Sequence, residues 1–323
     1  MRTRFSSSSD SASSSDAEPA LVKAMAGKHI SVLLHESIEA LDIRPSDVVV
    51  DATLGGAGHS TLIAAKLDAS GMLVGFDLDH DAIERARMSL SGSACRTELV
   101  EANFRTMGSA LAAREIGSID KALFDLGWSS FQLAVGRGFS FQKDEPLLMT
   151  YASNPDESTL TAATIVNEWE EESIADVIYG WGEERYSRRI AKAIVERRRE
   201  TAFTTSKELA DFIKASVPTA YRYGRIHPAT KTFQALRIAV NDELGSLTEG
   251  MQAAWKVLSV GGRIAIISFH SIEDRMVKQQ FVAWEKEGAG KRITKKPIIA
   301  GAQELSQNPR ARSAKLRVIE RIA

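Results

Sequence analysis

The chain carries a glycine turn, Gly55-Gly56-Ala57-Gly58-His59, between an apolar run and a stretch of helical composition. Such a turn lets a ligand approach the backbone at a helix N-terminus, where free N–H groups favour an anionic group. A dinucleotide fingerprint continues as G-x-G-x-x-G, and counted from Gly56 its third glycine position is Thr61. A pyrophosphate-binding dehydrogenase therefore loses ground, while the turn alone leaves a merely tight bend open. Asp77 strengthens the ligand reading. It closes the next apolar run 19 residues after Gly58, where a carboxylate can accept both hydroxyls of a ribose. A glycine turn and this acid, without the third glycine, suit the nucleoside of S-adenosylmethionine. Asp77, Asp79 and Asp81 do not form a calcium loop, because the required glycine falls on Ala82 and the bidentate glutamate on Met88.

Asp125-Leu126-Gly127-Trp128-Ser129-Ser130 ends a further apolar run. A carboxylate and a glycine there can border both cofactor and acceptor, and Trp128 either stacks on a flat substrate or packs. Two later polar segments can reach the same cleft: His227-Pro228 with Lys231, and Ser268-Phe269-His270-Ser271-Ile272-Glu273-Asp274-Arg275. His270 is the histidine we favour, for its strand-end position. The six histidines, His29, His35, His59, His80, His227 and His270, show no zinc-ligand spacing, so no metal is expected. Basic residues cluster locally, at Arg185, Arg188, Arg189, Lys192 and 197–199, and again after residue 285, where ten Lys or Arg face three Glu. A solvated helix face explains such runs as readily as phosphate contact does, but two of them flanking one cleft favour phosphate.

These residues need elements that hold them at one edge. The runs at 48–54, 72–76, 97–100 and 121–124 read as strands, with helices at 60–67 and 81–86 between them. Repeated βα units imply a parallel, doubly wound sheet whose ligands sit beyond the C-terminal strand ends. From 136 to 228 no buried strand is evident and helical patterning takes over, notably at 173–178 and 187–199, which we read as an inserted helical domain. Residues 232–258 read as one helix stopped by Gly261-Gly262, 263–269 as a strand, 271–286 as a helix and 315–322 as a final edge strand. The expected organisation is a doubly wound α/β domain at 28–135 and 229–323, with a helical insertion at 136–228.

Composition bounds the rest. With 323 residues, 44% hydrophobic and 26% charged, the chain is an ordinary globular one, and no apolar run is long enough to span a bilayer. A net charge of −1 gives no overall field toward polyanions, so any nucleic-acid contact must be local. The single Cys95 excludes an intramolecular disulfide and a multi-cysteine metal site and fits a reducing compartment, the cytoplasm or alternatively an organelle matrix. Eight serines in residues 6–15 and few apolar anchors lead us to expect residues 1–27 to be disordered. Asp10, Asp16 and Glu18 count against a transit peptide.

At this point the chain resembles the ribosomal RNA small subunit methyltransferase H family over about residues 29–322. The motifs that carry the likeness are Ser31-Val32-Leu33-Leu34-His35-Glu36, the 55–60 turn, Asp125-Leu126-Gly127 with Ser129, Ser130 and Gln132, Arg137-Gly138-Phe139-Ser140-Phe141, Gly182-Glu183-Glu184-Arg185, His227-Pro228-Ala229-Thr230, 268–275 and Asn308-Pro309-Arg310-Ala311-Arg312-Ser313. The resemblance implies a Rossmann-like S-adenosylmethionine-dependent methyltransferase fold. It also implies methylation of N4 of a cytosine in the decoding region of 16S ribosomal RNA, with the small ribosomal subunit as partner. It further implies cofactor contacts from Ala57, Gly58, His59, Asp77, Phe104, Asp125 and Gln132, and we add Trp128, His227, Lys231, His270 and Arg275 as candidate substrate contacts. No membrane partner is expected, and a homo-oligomer is left open. Three positions depart from the family pattern: Ala57 stands for a glycine and requires a negative φ, Trp128 replaces a small aliphatic residue, and Leu147-Leu148-Met149-Thr150-Tyr151 replaces Leu-Asp-Met-Arg-Met.

The exocyclic amine of cytosine is a poor nucleophile until hydrogen-bond acceptors orient it and take its proton, the role expected of Asp125. A covalent route to ring carbon needs a placed thiolate, and Cys95 precedes the third strand, remote from the strand ends. Two rivals remain at this stage: a methyltransferase for a small molecule or protein side chain, active without RNA, and an assembly factor that binds RNA and keeps only the fold.

Overall fold

A computed structural model describes residues 30–127, 136–152 and 155–323. Helix α1 (Leu34–Leu41) leads into β1 (Val48–Asp51), α2 (Gly58–Lys66), β2 (Met72–Asp77), α3 (His80–Leu90), β3 (Arg96–Glu101), a 3-10 turn at Phe104–Thr106, α4 (Met107–Ala112) and β4 (Ile119–Asp125). Helices α5 (Ala162–Glu168), α6 (Glu171–Gly182), α7 (Ser187–Arg198), α8 (Ser206–Ser216), α9 (Thr219–Arg222), α10 (Thr230–Asn241) and α11 (Glu243–Val257) intervene. The chain then resumes with β5 (Leu258–Ser268), α12 (Ser271–Lys286), β6 (Gly290–Arg292), α13 (Ala302–Gln307), a 3-10 helix at Pro309–Ser313 and β7 (Lys315–Arg321).

The seven strands order as β3-β2-β1-β4-β5-β7-β6. The first five are parallel, and β7 runs antiparallel to both β5 and β6. Side chains alternate between two cores. Leu73, Leu123, Ala265 and Ile267 face the layer built by α1, α2 and α3, whereas Val74, Phe124, Ile264 and Ile266 face α4, α11 and α12. This period of two along strands buried on both faces is what parallel sheets require, and each fully buried Phe or Ile contributes about 1.5 to 3 kcal/mol.

A third core lies outside the sheet. It joins Phe139, Leu147 and Met149 to apolar faces of α5 to α8, and α10, which follows residue 228, adds Phe233 and Leu236 to it. The described residues between 136 and 228 hold helices and one isolated bridge, Pro146 to Thr205. Caps fix the helix starts: the Thr161 side chain accepts from the Thr164 N–H at α5 and Thr205 from Glu208 at α8.

Three sequence expectations need correcting. The stretch 232–258 is two helices, broken at Asp242, whose φ of 44° places it in the left-handed region, and composition gives no sign of that break. The strand expected at 263–269 begins at Leu258, with Gly261 at φ 81° inside it, so the helix ends before the glycine pair. Strand β7 is not the sheet edge, because β6 pairs outside it. β6 spans 3 residues, too few for a period-two signal to reveal it.

Candidate active site at the strand switch point

Strand order reverses between β1 and β4, so the connections leaving their C-terminal ends part and leave a crevice. A cavity of about 490 Å³ opens there. Three strands end in acids beside it: Asp51, Asp77 and Asp125 close β1, β2 and β4.

Asp77 lines the cavity and accepts from the backbone N–H of Gly55 at 2.8 Å and of Asp79 at 2.9 Å. Each oxygen takes one of these bonds and keeps a lone pair for a ligand. Asp51 is buried; the Ser60 hydroxyl donates to it at 2.5 Å and the Thr53 N–H at 3.1 Å. Thr53 Oγ1 in turn accepts from the Asp125 N–H at 2.7 Å, tying the ends of β1 and β4 together. Asp125 accepts weakly from the Gly127 N–H at 3.4 Å. Its Oδ2 lies 3.7 Å from His59 Nδ1, while His59 Nε2 lies 3.2 Å from the Val32 carbonyl. Burial pushes both the Asp51 and Asp125 carboxyls up to about 7 and raises Asp77 as well. For Asp125 the charges of Asp51 and Glu273 add to the rise. A cluster of this sign repels a pyrophosphate and favours a cationic, hydroxyl-bearing ligand.

The remaining walls are aromatic and acidic. The Phe104 ring stands edge-on to Phe124, centroids 5.5 Å apart at 88°. It fits only because α11 has Gly250 beneath it, where a Cβ would come within 2.5 Å of the ring. Across the cavity the Tyr151 ring stacks on Phe139 at 5.5 Å. The Tyr151 hydroxyl donates to Glu243 Oε1 at 2.8 Å, and Arg237 grips both Glu243 oxygens at 2.7 and 2.9 Å. Burial and the Glu243 charge hold the phenol protonated, well above its ordinary range. Asn241 fixes the loop, accepting from the Tyr151 N–H and donating to the Met149 carbonyl, both at 2.8 Å. Glu273 completes the wall: its Oε2 accepts from the Phe269 N–H at 2.8 Å, and its own N–H donates to His270 Nδ1 in the capping box of α12. Glu243, His270 and Glu273 each bring a ligand atom within 4.8 Å of the others; Arg237 holds both Glu243 oxygens, the Phe269 N–H holds Glu273 Oε2, and Glu273 Oε1 lies 3.1 Å from His270 Nε2.

Of the residues singled out in the sequence, His59, Asp77, Phe104, Asp125 and His270 line the cavity. Ala57 and Gly58 do not line it; Gly55 and Gly56 do. Ala57 is buried at φ 60°, against the expectation of a negative φ: its methyl packs in the α1–α3 core, and its carbonyl accepts from the Thr61 N–H and hydroxyl. Trp128 and Gln132 lie outside the described residues. His227 is off the cavity, stacked on Phe141 at 4.7 Å, with burial lowering its pKa. Lys231 on α10 donates to the Glu183 carbonyl at 2.7 Å within the third core, and Arg275 on α12 bonds the Glu183 carboxylate at 2.6 Å, tying that core to the sheet's helices; neither lines the cavity. Much of the basic run on α7 is likewise engaged internally: Arg188 with Asp176, Arg189 with the Ser216 carbonyl, Arg197 with Glu208, Arg198 with the Val166 carbonyl.

The residues in and behind the cavity that sequence reading missed divide in two. Asp51 could have been found, as the acid that ends the first strand. Tyr151, Arg237, Asn241 and Glu243 leave no local signal, because they meet across insertion and core.

A seven-stranded sheet of this order, with an antiparallel β7 and the strand-end acids Asp77 and Asp125 on the switch-point cavity, defines a Rossmann-like methyltransferase. A family model described as the MraW methylase family matches residues 26–322, and the chain belongs to that family. Among its relatives, the ribosomal RNA small subunit methyltransferase H of Brevibacillus brevis is 44% identical over 310 residues, covering 91% of this chain and 98% of that protein. The protein of the same name from Heliobacterium modesticaldum is 46% identical over 312 residues, covering 91% and 98%.

Proposed function

We propose that this methyltransferase methylates N4 of a cytosine in the decoding region of 16S ribosomal RNA, using S-adenosylmethionine. The observation that carries the reading is Asp125: a carboxylate facing the cavity, with its proton affinity tuned to about neutrality, and no thiol beside it. Cys95, the only cysteine, sits before β3 at the opposite end of the strands.

The residues present fit the cofactor. Asp77 keeps acceptor capacity for two ribose hydroxyls, the Phe104 ring offers a face for adenine, and the acid cluster suits a cation. The bound cofactor would supply a methyl group already activated on a sulfonium. Asp125, when ionised, accepts a hydrogen bond from the exocyclic amine, turns its lone pair out of ring conjugation and takes up the proton as the new bond forms. His59 faces the Asp125 carboxylate and is itself anchored on the Val32 carbonyl. Glu273 faces the same space and adds negative charge that keeps Asp125 basic. The aromatic walls exclude water and hold a flat base, so positioning supplies much of the rate.

The test is product identity. Ribosomal RNA from small subunits incubated with the protein and cofactor is digested to nucleosides and chromatographed against 4-methylcytidine and 5-methylcytidine, which share a mass. Co-elution with 4-methylcytidine is expected, with turnover unchanged in Cys95→Ser. Co-elution with 5-methylcytidine, or a dead but folded Cys95→Ser, overturns the reading.

A further inference from the structure

Of the segment Asn308-Pro309-Arg310-Ala311-Arg312-Ser313, Arg310 and Ser313 reach the methyl-transfer cavity and Arg312 does not, yet the whole is firmly built. The Asn308 side chain donates to the Ile30 carbonyl at 3.0 Å, its N–H bonds the Glu304 carbonyl at 2.7 Å, and Glu304 itself accepts from the Leu33 N–H at 2.8 Å. Ala311 is buried beneath. The result is a rigid 3-10 helix that presents two arginines in different directions. Arg310 lines the main cavity, whereas Arg312 lines a second cavity of about 310 Å³.

The two cavities share Phe269, His270 and Ser313, so a strand threaded through one passes directly into the other around His270. Charge in the second cavity is in surplus. Arg312 and Lys315 line it and no described acid does, Lys315 sharing the Asp274 carboxylate with Arg317 at 3.0 and 2.6 Å. Arg312 makes no hydrogen bond or ion pair with another described residue, and it is exposed. On the same rim Ile299 and Leu305 stand exposed, at 64% and 40%. A surplus of cations beside an apolar ledge, continuous with a base-sized cavity, has the chemistry of one nucleotide of a strand: a phosphodiester for the guanidinium and a base face for the aliphatic side chains.

We propose that this second cavity seats the nucleotide adjacent to the methylated cytosine, with Arg312 on its phosphate and Ile299 and Leu305 against its base. The inference rests on the RNA reading of the main cavity. It accounts for how a protein with no net positive field orients a strand at its active site: a guanidinium with no partner among the described residues, carried on a backbone held by Asn308, sets the register beside the acceptor.

The test compares wild type with Arg312→Gln in two assays. In steady-state methyl transfer to small subunits, the variant's KM for RNA should rise about tenfold, with kcat and the cofactor dissociation constant within about twofold, and the salt slope of binding should fall by about one. Arg312→Lys should recover part of the loss, since it keeps the charge without the fork. In fluorescence anisotropy with a labelled cytidine trinucleotide, Arg312→Gln should bind at least about fivefold more weakly. An unchanged KM together with equal trinucleotide binding overturns the groove and leaves the methyl-transfer reading standing. A wild type that transfers no methyl to RNA but still loses trinucleotide binding in Arg312→Gln overturns that reading and leaves the groove as an RNA site.

Discussion

The two halves of the main cavity, which we propose take the cofactor and the acceptor base, are built by different means. On the cofactor side, strand-end carboxylates grip nearby chain: Asp77 accepts from Gly55 and Asp79, and Asp51 accepts from Ser60 and Thr53, all within 22 residues. On the acceptor side, the partners are far apart in the chain: Tyr151 and Glu243 meet across 92 residues, and Tyr151 and Asn241 across 90. The first half follows from the sheet itself. The second exists only when the helices of the third core dock on the sheet, through contacts such as Arg275 to Glu183. A fold can therefore keep its cofactor half while the acceptor half is reshaped, and the departure at 147–151 falls on the acceptor half.

If the halves are separable, the largest effect should come from the one residue that serves both. Asp125→Asn keeps the shape but cannot take a proton, so kcat should fall about a hundredfold or more, with the cofactor dissociation constant changed far less. The sign of the pH dependence follows from the raised carboxyl. Below about 7 Asp125 holds a proton and cannot accept one, so the wild-type rate should climb through pH 7 to a plateau, and the Asn variant should lose that climb. A pH–rate profile of both proteins checks this, and a flat wild-type profile would remove Asp125 from proton transfer.

Asp77→Ala attacks the cofactor half alone. It deletes the ribose acceptor and leaves the Gly55 and Asp79 N–H groups without their carboxylate, so the cofactor should bind about 1.5 to 3 kcal/mol more weakly. RNA binding measured without cofactor should not move. Calorimetry and anisotropy on the same preparation separate the two, and parallel losses would show that the halves are coupled.

Tyr151→Phe is the mirror test on the acceptor half. Glu243 loses one donor but keeps both Arg237 bonds, and the ring can still stack on Phe139, so the cost is one buried hydrogen bond, about 1 kcal/mol. The expected outcome is a KM for RNA raised severalfold with unchanged cofactor binding, read from steady-state kinetics. A shift in cofactor affinity of equal size would contradict the separation.

What could be read from the sequence divides along the same line. The strand runs, the glycine turn, Asp77 and Asp125 were legible because each is local: an apolar run, a turn and the acid that follows it. Lys231 and Arg275 were misplaced because composition shows a charge but not its partner, and theirs is Glu183, 48 and 92 residues away. The break at Asp242 and the three-residue β6 were invisible for a related reason, since tertiary packing, not propensity, holds them.

Ala57 is the sharpest case on the legible side, where a local rule gave the wrong sign. A left-handed alanine costs roughly 1 to 2 kcal/mol relative to its ordinary conformations, which argued for a negative φ. The structure keeps φ at 60° and fully buries the methyl among the side chains of α1 to α3. Burying one methyl contributes about 0.8 kcal/mol, and alanine also restricts the unfolded chain by about 0.4 to 1 kcal/mol relative to glycine. Those two gains nearly offset the strain. Ala57→Gly should therefore shift unfolding stability by less than about 1 kcal/mol in either direction. It should leave cofactor affinity intact, since the side chain does not line the cavity. Denaturant unfolding and cofactor titration of the variant measure both. A gain above about 2 kcal/mol would mean that the strain is uncompensated, and a loss of that size would mean that the methyl, not the glycine turn, holds the cofactor half together.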